Sequence, residues 1–241
     1  MRRHRASGAV ATLMLARRAD PARVGGGVGI DRRGWIRSLR PGGGGGGAAG
    51  RGAAHAATGN KLRRLVFAGA QVLAPELLVR LGPGPADIVR DLYQPLLAAG
   101  RQLAAYPSRR RWHDLGTPRR YLEAALDGGR GGWPERFWRR SWVSPEATVE
   151  GGARVKRVAV EATARVERGA QIERSVLLPG ARIGAGARVR EAIVGHSAVL
   201  PAGSRVEQQL ITVARDSDVP GPLDSRVGGL IYTPLDVESG R

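Results

Sequence analysis

At 241 residues the chain is long enough to bury one or two cores, and with no cysteine it holds neither a disulfide framework nor a thiolate metal site. Its formal charge of +18 is carried almost wholly by arginine, since lysine occurs only at Lys61 and Lys156. Residues 1–142 hold 26 basic and 9 acidic side chains, against 10 and 7 in 143–211 and 3 and 5 in 212–241, so the basic excess lies at the front.

Such a field attracts polyanions or phosphorylated small molecules. The arginines are scattered, however, and no aromatic side chains are spaced among them as a stacking platform, so no nucleic-acid partner is expected. Arg2, Arg3 and Arg5 precede the apolar run 9–16. That run is far short of the roughly 18 residues of a membrane span, and no small-residue cleavage pattern follows it. A cytoplasmic chain without membrane attachment is expected.

Residues 9–15 read as a strand, and 28–39 as a hairpin turning at Asp31-Arg32-Arg33-Gly34. Residues 41–60 include six consecutive glycines at 42–47 and are expected to be a flexible loop. Residues 65–73 read as a strand, and Pro75 opens a short helix where its missing N–H costs nothing. Residues 86–99 are amphipathic and stop at Gly100, and 103–106 form another strand. Thr117 then caps a helix over 119–126, with Pro118 at its first position and Gly128 beyond its end. Asp114 therefore stands on the loop entering that helix. The alternation of strands and helices predicts an α/β layer.

From residue 143 the chain changes character. Aliphatic residues fall at Val143, Val149 and Val155, then at Val160, Val166 and Ile172. They continue at Leu177, Ile183 and Val189, then Val194, Leu200, Val206 and Ile211, so that steps of 6, 6 and 5 give a period of 17. Helical amphipathicity needs steps of 3 and 4. Three short steps per period describe a triangular coil with one aliphatic side chain per face pointing inward. Two residues before most of these stand Ala147, Ala153, Ala164, Ala170, Ala181, Ala187, Ala198 and Ser204, small enough for tight corners. Gly151, Gly169, Gly184, Gly186 and Gly203 are expected to supply turn conformations. The reading is a left-handed parallel β-helix of hexapeptide repeats over 143–211. It needs a cap at each end, and Trp133, Phe137, Trp138 and Trp142 are expected to plug the first coil. His196 is the single histidine of the repeat, and a lone histidine is a weak basis for an acyltransferase.

Three segments carry a family resemblance. Trp112-His113-Asp114-Leu115-Gly116-Thr117-Pro118 with Tyr121-Leu122-Glu123-Ala124 resembles the W-x-D-I-G-T-P-x-x-Y-L-x-A signature of sugar-phosphate nucleotidyltransferases. Phe67-Ala68-Gly69-Ala70-Gln71-Val72-Leu73-Ala74-Pro75-Glu76-Leu77-Leu78 is similar to that family's F-x-G-x-x-V-x-x-P-E-L-L strand and helix. Asp91-Leu92-Tyr93-Gln94-Pro95-Leu96-Leu97 resembles the D-x-Y-x-P-L-L helix between them. Members resembling mannose-1-phosphate guanylyltransferases carry a C-terminal left-handed β-helix in the same place.

The resemblance implies an α/β plus β architecture. A partial Rossmann-like nucleotidyltransferase domain would span 1–132, an aromatic cap 133–142, the β-helix 143–211 and a tail 212–241. It implies a reaction in which a sugar 1-phosphate attacks the α-phosphorus of a nucleoside triphosphate, with Mg²⁺ offsetting charge. By resemblance Asp114 binds the metal and the backbone at Gly69 passes close to the sugar. The family's glycine-rich G-x-G-T-R-L phosphate loop, its second metal-binding aspartate and its E-K-P motif are not in the sequence, and 42–47 lead into no helix start. The chain thus reads as a fragment, inactive alone, that begins within the catalytic domain. The alternatives are a non-catalytic subunit joined to a complete enzyme or to its own copies through the β-helix, and, less favoured, a hexapeptide acyltransferase.

Overall fold

The computed structural model describes residues 1–17, 19, 21, 27–39, 62–127 and 141–236. They fall into two compact units, 1–112 and 113–241. The expected loop at 41–60, the helix-ending Gly128 and the aromatic residues Trp133, Phe137 and Trp138 lie outside the described residues.

In the first unit a short helix, α1 (Arg2–Ser7), precedes strand β1 (Ala11–Ala16). Strands β2 (Val28–Ile30) and β3 (Ile36–Leu39) form the expected hairpin. Asp31 organises its turn, accepting hydrogen bonds from the backbone N–H groups of Arg33 and Trp35, both at 2.9 Å. Strand β4 (Arg63–Leu73) leads into a 3₁₀ turn at Pro75–Arg80, and a π-helical stretch at Ile88–Tyr93 runs into α2 (Gln94–Ala98). Asp87 caps the π-helical stretch by accepting from the N–H groups of Val89 and Arg90. Strand β5 (Leu103–Ser108) completes a sheet of order β3-β2-β4-β1-β5.

Only β1 and β5 pair in parallel, while β1–β4, β2–β3 and β2–β4 are antiparallel. The expected Rossmann-like layer is therefore not what these strands display. A tight hairpin can join only antiparallel neighbours, whereas the long helical excursion after β4 allows β5 to return parallel to β1. Leu13, Leu15, Leu103, Leu92, Tyr93 and Leu96 are buried together beneath the sheet. The helix α1 falls where the sequence pattern shows no apolar period, and none of its residues is buried.

The second unit begins with the loop at His113 and helix α3 (Pro118–Leu126), so the helix expected to close the first domain counts with the solenoid. From Trp142 as far as the strand Gln209–Val213, the coils pair in parallel at an offset of 17 residues, as in Val143↔Val160, Val160↔Leu177, Leu177↔Val194 and Val194↔Ile211. The other two faces keep the same offset through Val149↔Val166↔Ile183↔Leu200 and Val155↔Ile172↔Val189↔Val206. This is a solenoid of about four turns, which fits a left-handed hexapeptide β-helix. The inward aliphatics from Val160 to Leu200 and the corner alanines from Ala164 to Ala198 are almost fully buried.

One corner repeats glycine in the left-handed region, at Gly152, Gly169, Gly186 and Gly203. Gly152, and not Gly151, therefore opens this column, and Gly184 takes no such conformation. Gly184 has another cause: a Cβ there would lie 2.4 Å from the backbone nitrogen of Ala202. A second corner places Arg157, Arg174, Glu191 and Gln208 in the left-handed region without glycine.

The tail is more than a tail. The strand Gln209–Val213 pairs antiparallel with Leu230–Pro234, which pairs in turn with Ser225–Val227. Leu230 and Tyr232 close over the last coil, supplying the cap required at that end. At the other end Trp142 lies in the first strand and remains 39 % exposed, and Val143 is 38 % exposed.

Candidate functional site

Gly69 sits at a fault in the first sheet. The β1–β4 register passes from Leu13↔Gln71 to Leu15↔Phe67, so Met14 alone stands opposite residues 68–70. This bulge puts Gly69 at φ +78°, and a Cβ there would meet nothing within 4 Å. The need for glycine is thus torsional, with open space on the side where a larger residue would project. The Trp112 indole N–H donates to the carbonyl of the adjacent Ala68 at 3.2 Å. Two of the segments that carry the resemblance, Phe67–Gly69 and Trp112, are thereby joined. Nearby, Phe67 meets Tyr93 edge-on, with ring centroids 6.5 Å apart. The Tyr93 hydroxyl and the Gln71 side-chain Oε1 are enclosed without a partner, and burial pushes the Tyr93 pKa up to about 12.

Asp114 belongs to the second unit and is built by its own loop. One carboxylate oxygen accepts from the Gly116 N–H at 3.0 Å, and the other is ion-paired with Arg120. The Thr117 hydroxyl accepts from the Arg120 N–H at 3.2 Å with Pro118 at the first helical position, the expected cap. The sequence reading of the loop and cap holds. Arg120 as the partner of Asp114 carried no signal beyond its charge. His113 Nε2 is enclosed and unpartnered.

Helix α3 is fixed to the solenoid by packing and by charge. Leu122 and Ala125 pack on Val176, Ile193 and Leu235, with Tyr121, Ala159 and Leu210 around them. Ala159, Val176, Ile193 and Leu210 form one in-register outward column, and an outward apolar column has to be covered. The equivalent outward columns of the other faces read Thr148, Arg165, Arg182, Val199 and Arg154, Gln171, Arg188, Arg205. At the start of α3, Arg119 makes a two-pronged contact with Asp236, both at 2.7 Å, and reaches Glu191 at 3.5 Å. The hydrogen bond to Arg119 holds the Asp236 carboxyl below its usual range. Burial opposes ionisation of Glu191, yet Gln208, Arg174 and Arg119 together hold its pKa low.

Mg²⁺ requires a near-octahedral set of oxygens, in most sites one or two carboxylates completed by water and phosphate. Both oxygens of Asp114 are engaged, one by a backbone amide and one by a guanidinium. No group of three His, Asp or Glu side chains converges among the described residues. The residues around Asp114 therefore do not by themselves fit the metal implied by the resemblance. Gly69 and Asp114 lie in separate units. His196 is exposed, with Nδ1 2.7 Å from the hydroxyl of the adjacent Ser197.

A family profile described as GlmU-like, C-terminal hexapeptide, matches residues 135–216. No curated protein matches the sequence. The solenoid, through the strand Gln209–Val213, is thus similar to the GlmU-like C-terminal hexapeptide domain.

Proposed function

We propose that the chain is a nucleotidyltransferase-family polypeptide of nucleotide-sugar synthesis, resembling mannose-1-phosphate guanylyltransferases and inactive alone. In the reaction an oxygen of the sugar 1-phosphate bonds to the α-phosphorus of a nucleoside triphosphate. The α–β phosphoanhydride bond breaks and pyrophosphate leaves. The observation that carries the reading is the W-x-D-x-G-T-P segment, seated through Trp112 on the Gly69 bulge and continued as a helix mounted on the solenoid. The GlmU-like match supports the nucleotidyltransferase/acetyltransferase class. Gly69 offers open backbone to a sugar, and Asp114 offers a carboxylate once Arg120 yields it. A cytoplasmic setting is part of this proposal; among the described residues no helix is long and apolar enough to cross a membrane.

The engagement of Asp114 by Arg120 favours a second reading, a non-catalytic subunit that associates with a complete enzyme or with its own copies through the β-helix. The acyltransferase reading has only His196 to offer and ranks below both.

Purified chain, Mg²⁺, a nucleoside triphosphate and mannose or glucose 1-phosphate should release no pyrophosphate. Loss of a phosphate cradle removes many powers of ten in rate, since each such contact is worth about 10²- to 10³-fold. A polypeptide bearing a glycine-rich phosphate loop should restore turnover, and Asp114→Ala should abolish it. Turnover by the chain alone that is lost in Asp114→Ala would sink the inactive reading. A stable complex with a complete enzyme whose activity is indifferent to Asp114→Ala would establish the subunit.

A further inference from the structure

A cleft of about 440 Å³ opens on the first unit, and five of its lining residues are arginines. They come from separate elements: Arg3 from α1, Arg17 just after β1, Arg32 and Arg33 from the β2–β3 turn, and Arg63 from the start of β4. Asp31 is the one carboxylate in the lining, and it is already satisfied. It accepts from two backbone N–H groups, and Arg37 grips it from outside the cleft at 2.7 Å. Burial acts against its charge, but Trp35, Arg37 and Arg33 together hold its pKa below the usual range, so it stays an anion bound to Arg37. No carboxylate among the described residues pairs with Arg3, Arg17, Arg32, Arg33 or Arg63.

Packing holds the cluster together. The Arg3 guanidinium lies over the turn, 3.2 Å from where a Cβ on Gly34 would be, and the Arg17 N–H is tied to the Ser108 carbonyl at 3.0 Å. Like charges held at one concavity raise the local potential, and the pocket has the size of a small-ligand site. Ile30 and Pro107 are the apolar walls, and no aromatic ring lines the cleft on which a base could stack.

We infer that this cleft is a binding site for a compact small-molecule polyphosphate, recognised through several guanidinium forks with no contact to a base. The inference uses none of the residues of the proposed transfer reaction and stands or falls without it.

The test is calorimetric titration of the full chain with inorganic tripolyphosphate at near-physiological salt. Arg17→Gln/Arg63→Gln should weaken binding by about tenfold or more, the scale of one or two lost charge-assisted hydrogen bonds. Arg17→Lys/Arg63→Lys should recover part of the loss, since charge returns without the fork. Arg80→Gln/Arg101→Gln removes the same charge at exposed positions outside the cleft and should change binding less than about twofold. Orthophosphate should bind at least about tenfold more weakly than tripolyphosphate. Unchanged circular dichroism would verify each fold. No measurable heat with tripolyphosphate overturns the site. Equal weakening by the two Gln pairs assigns binding to the general charge of the unit and also overturns it. Single-stranded RNA that binds more tightly than tripolyphosphate and is equally insensitive to both pairs replaces it with a nucleic-acid surface.

Discussion

The two units follow different rules of specification. In the solenoid one spacing does everything: each strand meets the residue 17 positions on, so local sequence periodicity is also the tertiary contact map. In the first unit the sheet neighbours, apart from the β2–β3 hairpin, are distant in sequence, and the order β3-β2-β4-β1-β5 has no counterpart in any period. Its registers shift between Leu13 and Leu15 and again between Gly29 and Ile30. A repeat advertises its fold because every coil restates it, whereas a single sheet must be closed by bulges and turns that are each used once.

The sharpest way to break this comparison is to make two glycines of the same repeat behave differently. A Cβ at Gly184 would fall 2.4 Å from Ala202 N and 2.7 Å from the carbonyl carbon of Pro201, both backbone atoms of the next coil. Gly184→Ala should cost about 3 kcal/mol, at the upper end of overpacking penalties, because neither atom can move without parting two coils. Gly151 has open space around its Cβ position and no positive φ, so Gly151→Ala should stay within about 0.5 kcal/mol of the parent. Urea unfolding followed by circular dichroism measures both. Equal effects would mean that the coils are not packed as described.

How legible the molecule is in its sequence follows the same division. The 6-6-5 spacing contains the solenoid core residue by residue, and the Asp31 turn and the Thr117–Pro118 start of α3 are written in local turn and cap chemistry. The function of Ala159, Val176, Ile193 and Leu210 is not written there. An outward apolar column shows only that something covers it, and which helix does so is a long-range fact. The strand Leu230–Pro234 belongs to the same class, since its partner Gln209–Val213 is recognisable only once the last coil is known to need a cap. Glycines at 151 and 184 look alike in sequence to those at 169 and 186, because composition does not separate close approach from torsion. At the candidate site, Gly69 and Asp114 were visible as residues, but the pairing of Asp114 with Arg120 depends on a rotamer across one loop.

A smaller effect probes how α3 is mounted. The lowered pKa values of Asp236 and Glu191 mean that both contribute stability at pH above the ordinary carboxylate range of about 4 to 4.5. That contribution is lost as pH falls through their lowered values, so it is fully present at neutrality and fades only in acid. Amide exchange in Pro118–Leu126 should accelerate on acidification more in the parent, after correction for intrinsic rates, than in Arg119→Gln, which has already lost the anchor. An identical acid response in the two would show that Arg119 does not hold the helix. The effect should be modest, because Asp236 is 68 % exposed and solvent screens the pair.

The least effect, and the one of opposite sign, concerns the corner that dispenses with glycine. Arg157, Arg174, Glu191 and Gln208 occupy φ between 47° and 55°, a region that costs a residue with a Cβ about 1 to 2 kcal/mol. Three of the four recover something from side-chain contacts: Arg174 and Glu191 pair at 3.0 Å, and Gln208 donates to Glu191 at 3.4 Å. Arg157 shares the conformation at φ 53° but takes no part in that ladder among the described residues, and it lies on the first coil, whose inward Val149 and Val155 are only half-buried. Arg157→Gly removes the torsional cost and adds the larger backbone entropy of glycine in the unfolded chain, which returns about 0.5 to 1 kcal/mol of the gain. The balance favours the variant by about 0.5 kcal/mol. Arg174→Gly forfeits the Glu191 contact as well and should fall at or below neutrality, so the ranking of the two is the decisive observation in matched thermal melts. If Arg157→Gly destabilises while Arg174→Gly does not, the corner is held by something other than backbone torsion, and the exact repetition of the coils is maintained by side chains at that edge.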